Sequence, residues 1–122
     1  MDNKLMALVV DDEQDFRHLM VTWLESKGYS VAAVSDGRSA VNFVRENDPD
    51  VVFLDLNMPV MDGVETLKEI RVINKNIPVI ISSAYFDARR SKEVNVYGIS
   101  GIFFKHEDFN KGLLCILKKI SS

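Results

Sequence analysis

Residues able to do chemistry stand where short apolar runs stop. Asp11 and Asp12 follow Leu5–Val10, Asp55 follows Val51–Leu54, Ser82 and Ser83 close the run that begins at Pro78, and Lys105 follows Ile102–Phe104. If these runs are neighbouring parallel strands, their ends share one edge and three carboxylates meet there. At ~4 Å and an effective dielectric of ~20, one pair of like charges costs roughly 4 kcal/mol, so the cluster needs a counter-charge. Lys105 supplies one positive charge, and a hard divalent cation would supply two more. Carboxylate oxygens, with no cysteine near them and only His106 among the histidines at these ends, favour Mg²⁺ over zinc. Asp55 could then act as a nucleophile, and a carboxylate attacking phosphorus gives an aspartyl phosphate. The metal and Lys105 would neutralise charge on the phosphoryl oxygens, and the Ser83 hydroxyl could donate to one of them.

The elements that must position these residues are legible in the hydrophobic pattern. Leu5–Val10 reads as a first strand buried on both faces. Phe16, Leu19, Met20, Trp23 and Leu24 then recur at helical spacing, so a helix is expected from Asp12 to about Lys27, capped by Asp11 or Asp12 and followed by Gly28. Ser30–Val34 is a short second strand, and Ala40, Val41, Phe43 and Val44 mark a second helix ending near Asn47. The stretch VVFLDLNMPVMDG, Val51–Gly63, opens as a buried strand that Pro59 cannot continue. Asp62 then caps a third helix carrying Val64, Leu67, Ile70 and Ile73, with Glu65 at the capping-box position. Pro78–Ser82 is a fourth strand, Tyr85–Val96 a polar fourth helix with few core contacts, Ile102–Phe104 a fifth strand, and Leu113–Ile120 a last helix. Strand and helix alternate five times, which implies a parallel sheet covered by helices on both faces. The expected fold is α/β, a doubly wound five-stranded sheet of order 2-1-3-4-5, flavodoxin-like, with its switch crevice between the first and third strands.

Composition narrows the function. The chain has 122 residues, 47% of them apolar and 27% charged, which suits one globular domain. A net charge of −3 without a basic block argues against direct nucleic-acid binding or a membrane-surface footprint. No apolar run approaches the ~18 residues of a membrane span, and the N-terminus lacks a signal-peptide core, so a cytoplasmic protein without membrane insertion is expected. The single Cys115 agrees with a reducing compartment. Each residue also has a plainer reading. Asp12 alone would serve as a helix cap, Ser83 as a satisfied strand-end hydroxyl, and His18 as a solvated surface residue.

VVDDE at Val9–Glu13, LDLNMPVMDG at Leu54–Gly63, PVIISSA at Pro78–Ala84 and SGIFFK at Ser100–Lys105 resemble, in order and spacing, the receiver domain of bacterial two-component response regulators. The resemblance covers essentially residues 1–122 as one receiver domain. It implies that Asp55 accepts a phosphoryl group from a histidine kinase or histidine phosphotransfer protein, without turnover of a free substrate. It implies Asp12 as a direct Mg²⁺ ligand, Asp11 acting through water, the backbone carbonyl of Asn57 as a further ligand, Ser83 as the switch hydroxyl and Lys105 as the phosphoryl-contacting lysine. By the same analogy, the fourth helix, fifth strand and fifth helix form the surface read by an output domain or protein, which the sequence does not name.

Two positions depart from the family pattern. Ile102 stands where an aromatic ring usually couples the site to the outer face, and His106 stands where the lysine is usually followed by proline. A cis bond costs ~3 kcal/mol without proline, so a trans Lys105–His106 bond is expected. Tyr85, two past Ser83, is expected to shield the phosphoryl group from water. Two other functions compete. A phosphatase of the haloacid-dehalogenase type also uses an Asp nucleophile and Mg²⁺, but wants an acid where this chain has Asn57. A receiver-like scaffold that works without phosphorylation would not need three carboxylates.

Overall fold

A computed structural model of the chain describes residues 4–83, 88–105, 114, 117 and 118. Its elements run β1 (Met6–Val10), α1 (Gln14–Ser26), β2 (Ser30–Val34), α2 (Gly37–Asn47), β3 (Val51–Asp55), α3 (Gly63–Ile73), β4 (Val79–Ser83), α4 (Ala88–Tyr97) and β5 (Gly101–Phe104). The five strands pair in parallel in the order β2-β1-β3-β4-β5, as the alternating pattern predicts. The register sets Val10 beside Leu54, Asp55 beside Ser82, and Ser83 beside Phe104. The C-terminal ends of β1, β3, β4 and β5 therefore lie along one edge.

Side chains alternate across the sheet and feed two cores. Leu8, Val10, Val52, Leu54, Val79 and Ile81 pack with Ala40, Val41 and Val44 of α2, Leu67 and Ile70 of α3, and Val94 of α4. Ala7, Val9, Val51, Phe53, Ile80 and Phe103 face Met20 and Leu24 of α1, joined by Leu117. Burying a side chain such as Phe53 or Leu8 completely is worth about 1.5–3 kcal/mol. Continuing the period-two series past the strands puts Asp11 and Asp55 in step with Val9 and Phe53, and Lys105 in step with Phe103.

The element boundaries shift from expectation by a few residues, each for a local reason. α1 starts at Gln14 with Glu13 as its N-cap, and no side chain caps it. The Asp11 carboxylate instead accepts the N–H of Glu13, and so is committed one residue too early to cap the helix. Gly28 at φ 93° follows the C-cap Lys27, as expected. α2 starts at Gly37, because the Asp36 side chain accepts from Ser39 N–H at 2.7 Å. Asp62 caps α3 by accepting from Glu65 N–H at 3.0 Å. Among the described side chains of α4 only Val94 is fully buried, in keeping with its polar sequence. Tyr85, His106 and most of the predicted last helix lie outside the described residues; within that helix Leu114, Leu117 and Lys118 are helical. Ile102 is partly buried against the α2–α4 core, whereas Phe103 enters the α1 core and Phe104 is exposed.

Candidate functional site

Asp55 closes β3, and its side chain has no solvent exposure. One oxygen, Oδ1, accepts the N–H of Asn57 at 2.9 Å, and Oδ2 accepts from the Lys105 ammonium at 3.1 Å. Across the β1–β3 pairing, Asp11 is equally buried. Its Oδ1 accepts from Glu13 N–H at 2.9 Å and from Lys105 Nζ at 3.1 Å. Its backbone carbonyl accepts from Arg17 at 2.8 Å. Asp12 is exposed at the mouth. Asp11, Asp12 and Asp55 can each turn one carboxylate oxygen into a group whose members lie within 4.8 Å of one another.

Lys105 is drawn inward from the end of β5. Its backbone N–H donates to Ser83 carbonyl, which fixes where the side chain starts. Its side chain is buried, and Nζ reaches Asp11, Asp55 and Glu13, the last at 2.6 Å. The ring of Phe16 lies 4.8 Å from the same nitrogen and stacks on Phe103. Ser83, fully buried, donates its hydroxyl to Asn57 Oδ1 at 2.7 Å.

Charge and burial oppose each other here. Burial pushes the Asp55 carboxyl up to about 6; the Asn57 N–H lowers it, Asp11 raises it further and Lys105 lowers it. Asp11 is also raised, chiefly by burial, with Lys105 and the Glu13 N–H acting against this. Burial alone would lower the Lys105 ammonium, but Glu13, Asp11 and Asp55 more than reverse it, so it stays charged above its ordinary range. One ammonium thus faces several carboxylates, two of them forced upward.

A divalent cation fits what is present. Nζ approaches Asp11 Oδ2 to 2.9 Å, yet its hydrogen-bond geometry is with Oδ1, and the buried Oδ2 accepts no hydrogen bond. A lone pair on a buried carboxylate oxygen is thus left for a cation. The side-chain donors are all oxygens, the set that suits a hard ion such as Mg²⁺.

The loop from Leu56 to Asp62 carries Asn57 and returns the chain to α3. Leu56 and Met58 are buried and anchor it. The Leu56 carbonyl accepts from Gly63 N–H at 3.2 Å and from Arg90 of α4 at 2.9 Å. Gly63 is required by close approach: a Cβ there would lie 2.5 Å from both the Asp55 carbonyl oxygen and Leu56 Cα. Val60, at the loop tip, is fully exposed at φ 63°, a left-handed conformation unusual for a β-branched residue.

The family model for the response regulator receiver domain matches residues 7–116. The chain belongs to that family. This receiver domain is 39% identical to the transcriptional regulatory protein ZraR of Klebsiella oxytoca over 104 residues, which make up 85% of this chain and 24% of the relative. It therefore spans about a quarter of the length of that regulator. It is 36% identical to sporulation initiation phosphotransferase F of Bacillus subtilis over 85% of this chain and 84% of that one. Among solved structures it is similar to the chemotaxis protein CheY4 of Vibrio cholerae, with a TM-score of 0.88, 28% identity, and coverage of 96% and 98% of the two chains.

Asp11, Asp12, Asp55, Ser83 and Lys105, singled out as strand-end residues, are gathered at one edge, with Asn57 beside Ser83. Sequence reasoning missed Glu13 and Phe16, which approach Lys105 at the start of α1, where the Phe16 ring stacks on Phe103 of β5. The only linear hint was the third acid of the Asp11–Glu13 run. It also missed Arg90, which reaches the β3–α3 loop from a helix read as polar and as part of the output surface. No helix among the described residues is long and apolar enough to cross a membrane.

Proposed function

We propose that this receiver domain accepts a phosphoryl group on Asp55 from the phosphohistidine of a histidine kinase or histidine phosphotransfer protein. The observation that carries the reading is the buried Asp55 carboxylate at a strand end, bonded to Lys105 and grouped with Asp11 and Asp12. A carboxylate oxygen of Asp55 attacks phosphorus. The new O–P bond forms as the donor's N–P bond breaks, and that electron pair leaves on the imidazole nitrogen. Asp11, Asp12, Asp55 and the backbone carbonyl of Asn57 would hold Mg²⁺. Once bound, the ion would neutralise the carboxylates and stabilise charge on the phosphoryl oxygens. Lys105 turns an N–H from Asp55 to a phosphoryl oxygen, and Ser83 turns its hydroxyl from Asn57 to another. The Asn57 side chain offers no proton to a leaving group, so the domain modifies itself and turns over no free substrate. The reading carries with it a cytoplasmic location and an output domain or protein that senses the phosphorylated state.

Incubating the protein with acetyl phosphate, with and without Mg²⁺, and measuring its intact mass tests this. A stoichiometric, Mg²⁺-dependent phosphoryl adduct is expected, with no steady phosphate release from an unrelated phosphate monoester. Steady release would make the domain a phosphatase, and no adduct under any condition would leave a receiver fold that works without phosphorylation.

A further inference from the structure

An ammonium has three donors, and those of Lys105 point at Asp11, Asp55 and Glu13. Two of these carboxylates are needed elsewhere, since Asp11 and Asp55 belong to the group that suits a cation. Glu13 does not. It makes the shortest of the three contacts, 2.6 Å, from the N-cap position of α1. Its side chain is 57% exposed and that of Lys105 only 3%, so Glu13 reaches in from the rim to meet a buried ammonium. Three residues on, the Phe16 ring lies 4.8 Å from the same nitrogen, and its stacking on Phe103 holds it to β5. A cation over an aromatic face is held without spending a donor.

We propose that Glu13 and Phe16 form a seat on α1 that positions Lys105, with Glu13 as the contact that persists when the ammonium turns from Asp55 to the phosphoryl group. Both are positioning residues, acting through Lys105. The helix start is built for this. Asp11 takes the N–H of Glu13 and sets the backbone at 2.9 Å, while the Glu13 side chain makes no cap bond and turns to Lys105 instead. Without the seat, Lys105 has only the metal-site carboxylates to bond among the acids that now hold it. It then competes with the cation for their oxygens. The seat thus separates two positive charges that would otherwise claim the same two groups.

This inference rests on the proposed role of Lys105, so its test has two arms. The first does not depend on phosphorylation. The full chain is treated with an amine-acylating reagent, and modification of each lysine is followed by peptide mass. In Glu13→Gln, Lys105 is expected to react several-fold faster than in the wild type, while Lys4, Lys27 and Lys68 are unchanged. An unchanged Lys105 overturns the seat. The second arm measures Mg²⁺-dependent phosphorylation by acetyl phosphate in Glu13→Gln, Lys105→Ala and the double variant. Glu13→Gln is expected to slow the reaction about 3- to 5-fold, the size of a half-exposed ionic contact, and to add nothing in the Lys105→Ala background. Equal slowing in both backgrounds, or none in the wild type, overturns the positioning role. Glu13→Asp, one methylene too short for a 2.6 Å contact, should behave like Glu13→Gln. If the wild type takes up no phosphoryl group, the proposed function falls, and the acylation arm alone decides the seat.

Discussion

At the scale of single residues, the site is a balance between burial and charge. Asp55 is held at about 6 where an ordinary aspartate sits at 3.8, because burial disfavours its charged form. Above that value the folded protein bears the cost of a charged, buried carboxylate that the unfolded chain does not. As the pH falls from about 6 towards 3.8, the folded chain takes up a proton that the unfolded chain does not, and the cost disappears. Asp55→Asn should therefore stabilise the metal-free protein by about 1–3 kcal/mol near pH 7.5, and this gain should shrink to nothing near pH 4. Urea unfolding of both proteins in EDTA across that range measures the difference. Mg²⁺ should stabilise the wild type instead, by neutralising the same carboxylate. At about tenfold over its dissociation constant it should raise wild-type stability by about 1.4 kcal/mol and leave Asp55→Asn nearly unmoved. The residues behind these effects differ in how far sequence reveals them. Asp11, Asp55 and Lys105 were readable because each ends an apolar run, and the sheet carries such ends to one edge. Glu13 was not, since its partner lies 92 positions away in the chain. The expected cap at Asp11 or Asp12 failed because the Asp11 side chain bonds the N–H of Glu13 first.

At the scale of elements, the β3–α3 loop decides how Asp55 is presented. Gly63 lets the start of α3 press against the end of β3, where a Cβ would meet backbone atoms that cannot swing away. Gly63→Ala is expected to cost about 1–3 kcal/mol, as overpacking does, and to slow phosphorylation, because the displaced strand end carries Asp55. Chemical denaturation and a phosphorylation time course on the same sample check both effects. Val60 sits on the other side of this loop, at φ 63° and in open solvent. A left-handed conformation costs a side-chain-bearing residue about 1–2 kcal/mol, and glycine loses some of that gain through its unfolded-state freedom. Val60→Gly should thus stabilise the fold by about 0.5–1 kcal/mol, read as a higher urea midpoint with an unchanged slope. The capping of α3 by Asp62 was legible, being a local pattern. The conformation of Val60 was not, because a valine between Pro59 and Met61 carries no sign that the chain must bend left-handed there.

At the scale of the whole molecule, topology does the assembling. The order β2-β1-β3-β4-β5 places β1 and β3 side by side although a strand and two helices separate them in the chain. The crevice at that switch receives Asp11 and Asp12 from one strand end and Asp55 from the other. This much followed from the alternation of strands and helices and from right-handed crossovers. What did not follow is how the far end of the sheet closes on the site: the inward path of Lys105 and the α1 residues around it are set by packing between segments remote in sequence. This topology presents Asp55 as the proposed phosphoacceptor. The most direct measurement of that role is to treat the protein with acetyl phosphate and Mg²⁺, reduce any acyl phosphate with borohydride, and locate the reduced residue by peptide sequencing. Conversion of Asp55 alone to homoserine, with none in the peptide holding Asp11 and Asp12, is the predicted result. Conversion at Asp11 or Asp12, or at no aspartate, would contradict it.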